Sequence, residues 1–313
     1  MSGDIVVVTG ASGFIGRFVL SELNKHGVSV RALVHKTPVK GTVASVTGTL
    51  TDEQTLHTLL NGARWVIHSA FSHVQDRYRG GEGDDPVAFW QTNFGGTLAL
   101  LEGCAQHNVE ACSMLSSRAV FGAQTGVVDD DCATTPDTHY GALKAAEESL
   151  AAAYRASGKL SVRCVRATGV FGRAATPERN KWWPLVCETL ACSPDQPLAI
   201  APRTSTEVSG EDVANALWLS LGTAEPQRTQ LASSGNLNCS DLMLTQQQLV
   251  HRIETLAGRQ PRSSSGPDVP MHGPRMRCRT LTQLNWRPQG WPAVDKTLTE
   301  LIAHYRKLNP GTG

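Results

Sequence analysis

Apolar residues in the first half of the chain alternate between two patterns. Short, continuous, β-branched runs are separated by longer segments whose apolar positions recur at helical spacing. The run "DIVVVTG" (4–10) closes on glycine and predicts a strand buried on both faces of a parallel sheet. "GFIGRFVLSELNKHG" (13–27) follows, with Phe14, Phe18 and Leu23 on one helical stripe and Gly27 as the stop. Further strands are predicted at "VSVRALVH" (28–35), "ARWVIHSAF" (63–71), "ACSMLSS" (111–117) and "LSVRCVRATGVFG" (160–172). Helical patterns at 52–62, 86–108 and 140–157 separate them. That alternation predicts an α/β fold with a doubly wound parallel sheet.

Beyond Gly172 the regularity fades. "RAATPERNKWWPLV" (173–186) reads as a loop, and "EVSGEDVANALWLSLG" (207–222) as a strand edge leading into a helix. Pro, Ser and Gly crowd 258–277. A last helix over 293–308 aligns Val294, Leu298, Leu301, Ile302 and Tyr305 on one face. The expected division is a parallel-sheet domain over 1–172, which also receives parts of 204–235. A smaller, discontinuous α/β substrate lobe would then be built mainly from 173–313.

Composition narrows the partners. The 313 residues are 40% hydrophobic, and a net charge of +1 offers no bulk attraction to nucleic acid. Eight cysteines without a C-x-x-C pair exclude a zinc ribbon and predict reduced thiols. The first apolar run is too short for a leader peptide or a membrane span, so the expectation is a cytoplasmic protein without a membrane partner. His68 and His73 lack a third ligand at suitable spacing, so no metal site is expected. The "DDD" at 129–131 reads as a solvated turn, and "RMRCR" (275–279) as a solvated charge run or a phosphate contact.

"TGASGFIG" spaces Gly10, Gly13 and Gly16 as G-x-x-G-x-x-G between the first strand and the first helix. Such a loop turns sharply, lets backbone approach a pyrophosphate, and aims helix N–H groups at it. An acidic residue at the end of the second strand would mark NAD, whereas this chain carries Val34, His35 and Lys36, with Arg17 after the third glycine. The balance favours NADP, with NAD as the alternative. In "HYGALK" (139–144), Tyr140 and Lys144 stand at i and i+4 on one helix face. A free tyrosine titrates near a pH of about 10, and an adjacent ammonium favours the phenolate and so makes a usable base.

Taken together, "TGASGFIG" (9–16), "GTLTD" (48–52), "WVIHSAF" (65–71), "NFGGTLALLE" (93–102), "SSRAVFG" (116–122), "YGALK" (140–144) and "VRATGVFG" (165–172) carry a resemblance. The chain resembles an extended short-chain dehydrogenase/reductase of the NAD-dependent epimerase/dehydratase family. "EVSGEDVANAL" (207–217) and "LTQLNWRP" (281–288) extend the likeness almost to the C-terminus. The resemblance implies that Tyr140 is the general acid/base, Lys144 its electrostatic partner and ribose ligand, and Ser117 the donor to the substrate oxygen. Asn93 would position the neighbouring helix and the tyrosine–lysine proton path. Dinucleotide contacts are implied at Gly10, Ser12, Gly13, Phe14, Ile15, Gly16, Arg17, His35, Lys36, Thr49, Leu50, Ser69, Ala70, Phe71, Ala167 and Val170, beside Tyr140 and Lys144. A homodimer through the helices that carry "NFGGT" and "YGALK" is implied too.

Departures from the family pattern shape the expected reaction. Arg118 stands where dehydratases of the family carry an acidic residue, which argues against dehydration. Gly169 stands where sugar-nucleotide epimerases carry asparagine. Thr49 replaces the aspartate of "G-D-L". Arg203, in "RTSTEV", falls where the resembling epimerases place an arginine on the substrate diphosphate; pairing with Glu207 is the other reading. Lys181 and Trp182 of "KWWPL" sit in the presumed substrate lobe, where an indole would stack on a sugar face or fill the core. Residues 72–86 read as a flap or a plain loop. Substrate contacts are therefore expected from Ser117, Tyr140, Gly169, Lys181, Trp182 and Arg203. Three functions remain open: a reductase/dehydrogenase of a carbonyl or hydroxyl carbon, an epimerase with a retained cofactor, and a non-catalytic dinucleotide sensor. The sensor is disfavoured, because relatives of that type lack the tyrosine and lysine.

Overall fold

The computed structural model describes residues 3–35, 39, 44–74, 77, 80–193, 196, 198, 200, 203–222, 235–262 and 273–310. In chain order the elements begin with β1 (Ile5–Thr9), α1 (Phe14–Lys25), β2 (Ser29–Val34), β3 (Ala44–Thr47), α2 (Glu53–Leu60) and β4 (Ala63–His68). Next come α3 (Pro86–Trp90), a π-turn (Gln91–Gly95), α4 (Gly96–Gln106), β5 (Ala111–Ser117), β6 (Val127–Val128), α5 (His139–Ala156) and β7 (Ser161–Ala167). β8 (Gly169–Phe171), α6 (Trp183–Ala191), β9 (Thr204–Ser209), α7 (Gly210–Ser220) and β10 (Asn236–Cys239) follow. The chain closes with β11 (Leu242–Thr245), α8 (Gln246–Leu256), β12 (Arg275–Met276), α9 (Arg279–Gln283) and α10 (Trp291–Leu308).

Two compact units divide the chain. The first takes Met1–Ala167, Val213–Cys239 and Gly273–Trp286, and the second takes Thr168–Asp212, Ser240–His272 and Arg287–Gly313. In the first, seven parallel strands run in the order β10-β7-β5-β4-β1-β2-β3. Strand order reverses between β1 and β4, the switch point at which such sheets leave a crevice beyond their C-terminal ends. The β-branched runs are fully buried, Val6, Val7 and Val8 in β1 and Val66 and Ile67 in β4. Val7, Val66, Met114, Leu59, Leu100 and Leu101 form one core between sheet and helices, each such side chain contributing about 1.5–3 kcal/mol. Phe14 departs from its predicted stripe. As the first residue of α1 it sits at the glycine loop rather than against the sheet and is 37% exposed, while Phe18, Val19 and Leu23 are buried.

The second unit holds a three-stranded sheet in the order β11-β9-β8, with β8 parallel and β11 antiparallel to β9. The single strand predicted over 160–172 is therefore two strands. β7 pairs in the large sheet, and after Thr168 the chain enters β8 in the small one. The loop predicted over 173–186 contains the start of α6. There Asn180 donates to the Gly172 carbonyl at 2.8 Å and accepts from the Trp182 amide at 2.9 Å, which fixes the entry to the helix. Pro184 is harmless in the first turn because that turn has no intrahelical partner to lose. Trp182, Val186 and Leu190 then share a buried face with Phe171, Leu244, Ile253, Val294 and Leu298. All five residues predicted for the buried face of the last helix are buried in α10.

Candidate active site

Gly10 has φ +74°, and a Cβ there would lie 2.6 Å from the Ala70 nitrogen. A Cβ at Gly16 would lie 2.2 Å from the Gly10 carbonyl oxygen. The loop is therefore closed tightly onto the end of β4 in a way only glycine permits. Gly13 caps α1 with no side-chain hydrogen bond, and the first turn carries no acidic residue, so an anion fits the donors at this terminus. These features fit a dinucleotide pyrophosphate, which the loop of Ser12, Gly13, Phe14, Ile15 and Gly16 would cradle. The Arg17 guanidinium lies 5.6 Å from the centre of the Phe14 ring. His35 is exposed just beyond β2, and Lys36 lies outside the described residues. Thr49 shares a hydrogen bond with Thr51 at 3.1 Å, and Leu50 packs against Gly96.

Beyond β4, Ser69 and Ala70 are tied to Thr9. The Ser69 amide and hydroxyl donate to the Thr9 carbonyl at 3.2 and 2.9 Å, and the Ala70 amide donates to the Thr9 hydroxyl oxygen at 3.3 Å. Asn93 clamps the next stretch. Its carbonyl accepts from the Ser72 amide at 2.7 Å, and its amide donates to the carbonyls of Ser72 at 2.8 Å and Phe89 at 2.9 Å. The π-turn puts Asn93 there, because the extra residue in the turn swings its side chain out of α-helical register.

The stretch so held presents Phe71 to both residues of the Y-x-x-x-K pair. The Tyr140 ring meets Phe71 edge-on at 5.1 Å between centroids, and the Lys144 ammonium lies 4.5 Å from the Phe71 centroid. Thr138 caps α5 by accepting from the Gly141 amide at 3.0 Å. A Cβ at Gly141 would lie 2.4 Å from the Ala119 carbonyl, so α5 packs directly on the turn that follows β5. Lys144 is only 4% exposed. Burial lowers its pKa, but Glu147 and then Tyr140 outweigh that and hold it above the usual lysine range. Glu147 accepts from Lys144 at 2.8 Å and from the Thr97 hydroxyl at 2.9 Å. Neither Glu147 nor Thr97 was singled out by the motif reading, although the i, i+3 spacing of Lys144 and Glu147 was a visible signal.

Ser116 and Ser117 end β5, in register with Arg166 and Ala167 of β7. Ser116 is buried and donates to Glu148 at 2.6 Å. Arg166 grips the same carboxylate with two donors at 2.9 and 2.7 Å and reaches the Asp130 carbonyl at 2.9 Å. Ser117 is half-buried and accepts from the Ala119 amide at 3.2 Å, so its proton is not committed to that carboxylate. The solvated turn expected at 129–131 is corrected: Asp130 is buried and accepts from the Asn238 amide and from the amide and hydroxyl of Thr280. Arg277 and Arg279 of the charge run pair with Asp129 and Asp131.

In the second unit, Glu207 is engaged by Lys181 and by the Ser205 hydroxyl, the latter at 2.9 Å. Its carboxylate lies against Gly169, and Val170 pairs with Val208. Arg203 is exposed next to β9. Trp182 corrects a sequence expectation: it is 5% exposed and stacked on Phe171 at 4.7 Å, so its indole fills the core and is not offered to a ligand. Among the described residues no cluster of three or more His, Cys, Asp and Glu side chains could hold a metal, and no helix is long and apolar enough to cross a membrane.

A glycine loop at a parallel-sheet switch point, with a tyrosine and a buried lysine on a nearby helix, defines a dinucleotide-binding protein of the extended short-chain dehydrogenase/reductase type. The chain belongs to the NAD dependent epimerase/dehydratase family, whose model matches residues 6–230. It is 28% identical to dTDP-glucose 4,6-dehydratase of Streptomyces antibioticus over 190 residues, 56% of this chain and 56% of that protein. It is 29% identical over 160 residues to UDP-glucose 4-epimerase of Streptomyces lividans, covering 48% of this chain and 47% of that one. The chain thus spans about half the length of the curated relatives it matches. Among solved structures, MoeE5 in complex with UDP-glucuronic acid and NAD superposes with a TM-score of 0.75 at 25% identity, covering 96% of this chain and 99% of that one. UDP-glucose 4-epimerase from Thermotoga maritima shares the fold, with a TM-score of 0.75 at 18% identity over 97% of this chain and 99% of the other.

Proposed function

We propose that the protein transfers hydride between a nicotinamide dinucleotide and a hydroxyl-bearing or carbonyl carbon, with a nucleotide sugar as the substrate class. The observation that carries this reading is the packing of Tyr140 and Lys144 on one phenyl ring, with the ammonium buried. When bound, the nicotinamide accepts or supplies the hydride. Tyr140 removes the hydroxyl proton in the oxidative direction and returns it in the reductive one. Lys144 favours negative charge on the phenol oxygen, and Ser117 donates a hydrogen bond to the developing alkoxide. Asn93 acts at one remove, by holding the Ser72 backbone and thereby Phe71.

The relatives, which are named for UDP- and dTDP-glucose chemistry, support this substrate class. Glu207 is taken by Lys181, which supports a role for the Arg203 guanidinium on a substrate diphosphate rather than in an ion pair with Glu207. Dehydration is disfavoured, since Arg118 replaces the acidic residue and its guanidinium lies against Gly273. An epimerase that retains its cofactor is the second reading, supported by the epimerases among the relatives. For the cofactor, His35 in place of a carboxylate favours NADP, while MoeE5 holds NAD.

Calorimetric titration with NAD and NADP, followed by turnover of UDP- and dTDP-sugars, tests the reading. Net consumption of cofactor identifies a reductase or dehydrogenase, and interconversion without consumption identifies an epimerase. Binding of neither dinucleotide by protein first stripped of any co-purified cofactor refutes both. A homodimer through the helices of 86–106 and 139–156 fits the exposure of Val87 at 65% and Leu98 at 42%, three helical turns apart. Light scattering on Leu98→Asp checks this, with a monomer as the expected result.

A further inference from the structure

The carboxylate of Glu147 can only accept hydrogen bonds, and this gives direction to a chain of groups buried in the first unit. Thr97 spends its single proton on Glu147, so toward His68 Nε2, 3.1 Å away, its oxygen must accept. That places a proton on Nε2. An uncharged ring so protonated has a lone pair on Nδ1, which the Thr9 hydroxyl fills at 2.6 Å. The Thr9 oxygen in turn accepts from the Ala70 amide at 3.3 Å. Every link then points the same way, from the backbone at the dinucleotide loop to the counter-ion of Lys144. His68 is 2% exposed, and burial together with the Lys144 charge pushes its pKa down to about 3, so the ring stays uncharged.

We propose that Glu147 is a positioning residue: it terminates this one-way chain, is oriented by it, and by direct contact holds the Lys144 ammonium in place and offsets part of its charge at Tyr140. The titratable groups facing Lys144 are Tyr140 and Glu147 of α5, His68 of β4 and Cys164 of β7. Glu147 combines direct contact with the ammonium and a link to the loop that holds Gly10. The proposal rests on the assignment of Tyr140 and Lys144 to proton transfer, and its test separates the two.

Nitrogen-15 NMR of the histidine side chains reads the direction of the chain without any turnover. In the wild-type protein, His68 is expected neutral and protonated on Nε2 from about pH 5 to 8. In Glu147→Gln the amide oxygen faces Lys144 and the NH2 faces Thr97, which reverses the chain and moves the His68 proton to Nδ1. Glu147→Asp keeps the wild-type tautomer. Once a substrate is in hand, the acid limb of the kcat/KM profile moves down by about one pH unit in Glu147→Gln and stays in place in Glu147→Asp. An Nδ1-protonated ring in the wild type overturns the proposal, as does a Glu147→Gln protein that matches wild type in either tautomer or profile. Should Glu147→Gln fail to fold, Thr97→Val carries the test. It removes the acceptor of Nε2–H, so the Nδ1 tautomer should gain, and an unchanged tautomer overturns the proposal. Failure to bind any nicotinamide dinucleotide would refute the enzymatic reading and leave the tautomer result standing.

Discussion

Lys144 sits almost entirely out of water, with Glu147 as its counter-ion and the face of Phe71 4.5 Å away. An ammonium so placed keeps its charge only because its partners repay the lost hydration. Tyr140, one turn earlier, has the half-buried environment that a proton-transferring phenol needs. Tyr140→Phe is expected to lower kcat by roughly 10²–10⁴ while leaving the melting temperature near wild type, as read by steady-state kinetics and thermal unfolding. The two adjacent serines should behave differently. Ser117→Ala should lower kcat with little loss of stability. Ser116→Ala removes a donor from the buried Glu148 and should cost about 1–3 kcal/mol in denaturant unfolding, with kcat affected less.

At the scale of elements, two short segments do much of the positioning. The π-turn of Gln91–Gly95 delivers Asn93 to the Ser72 backbone, and the glycine loop closes on the end of β4. Gly16→Ala places a methyl 2.2 Å from the Gly10 carbonyl and 2.6 Å from the Ala11 Cα, both backbone atoms that cannot swing aside. Either the loop or α1 must shift, so dinucleotide affinity should fall at least tenfold in calorimetry, with a lower melting temperature. An affinity equal to wild type would show that the loop is not the cradle. α6 carries a different lesson. Its helical face of Trp182, Val186 and Leu190 was present in the sequence, but Asn180 ahead of the helix and Pro184 in its first turn are local loop signals. The packing partners Phe171, Leu244 and Ile253 come from distant positions in the chain and outweigh that local preference.

For the molecule as a whole, buried ionisable groups tie stability to pH. His68 has a folded pKa of about 3 against an ordinary 6.5. Above 6.5 the ring is neutral in both states and adds no pH dependence. Below it the unfolded chain binds a proton that the folded chain refuses, so stability falls as the pH drops from 6.5 toward about 3. Between those limits this group alone contributes a slope that approaches about 1.4 kcal/mol per pH unit. Urea unfolding of wild type and His68→Gln between those limits measures it, and the variant should show the shallower dependence.

By itself the amino-acid sequence determined the alternating strands and helices, the glycine loop, the tyrosine–lysine pair and the family. All of these rest on local spacing: apolar periodicity, glycines three apart, and two side chains one helical turn apart. What only the tertiary structure decided depends on residues far apart in the chain. It separated Ser116, committed to Glu148, from Ser117, and it sent Trp182 into the core. It turned Asp130 from a surface charge into a buried acceptor for Asn238 and Thr280. It also joined Thr9, His68, Thr97 and Glu147 into one chain. Whether a polar side chain meets water or another polar side chain is settled by which elements pack together, and local sequence carries no record of that.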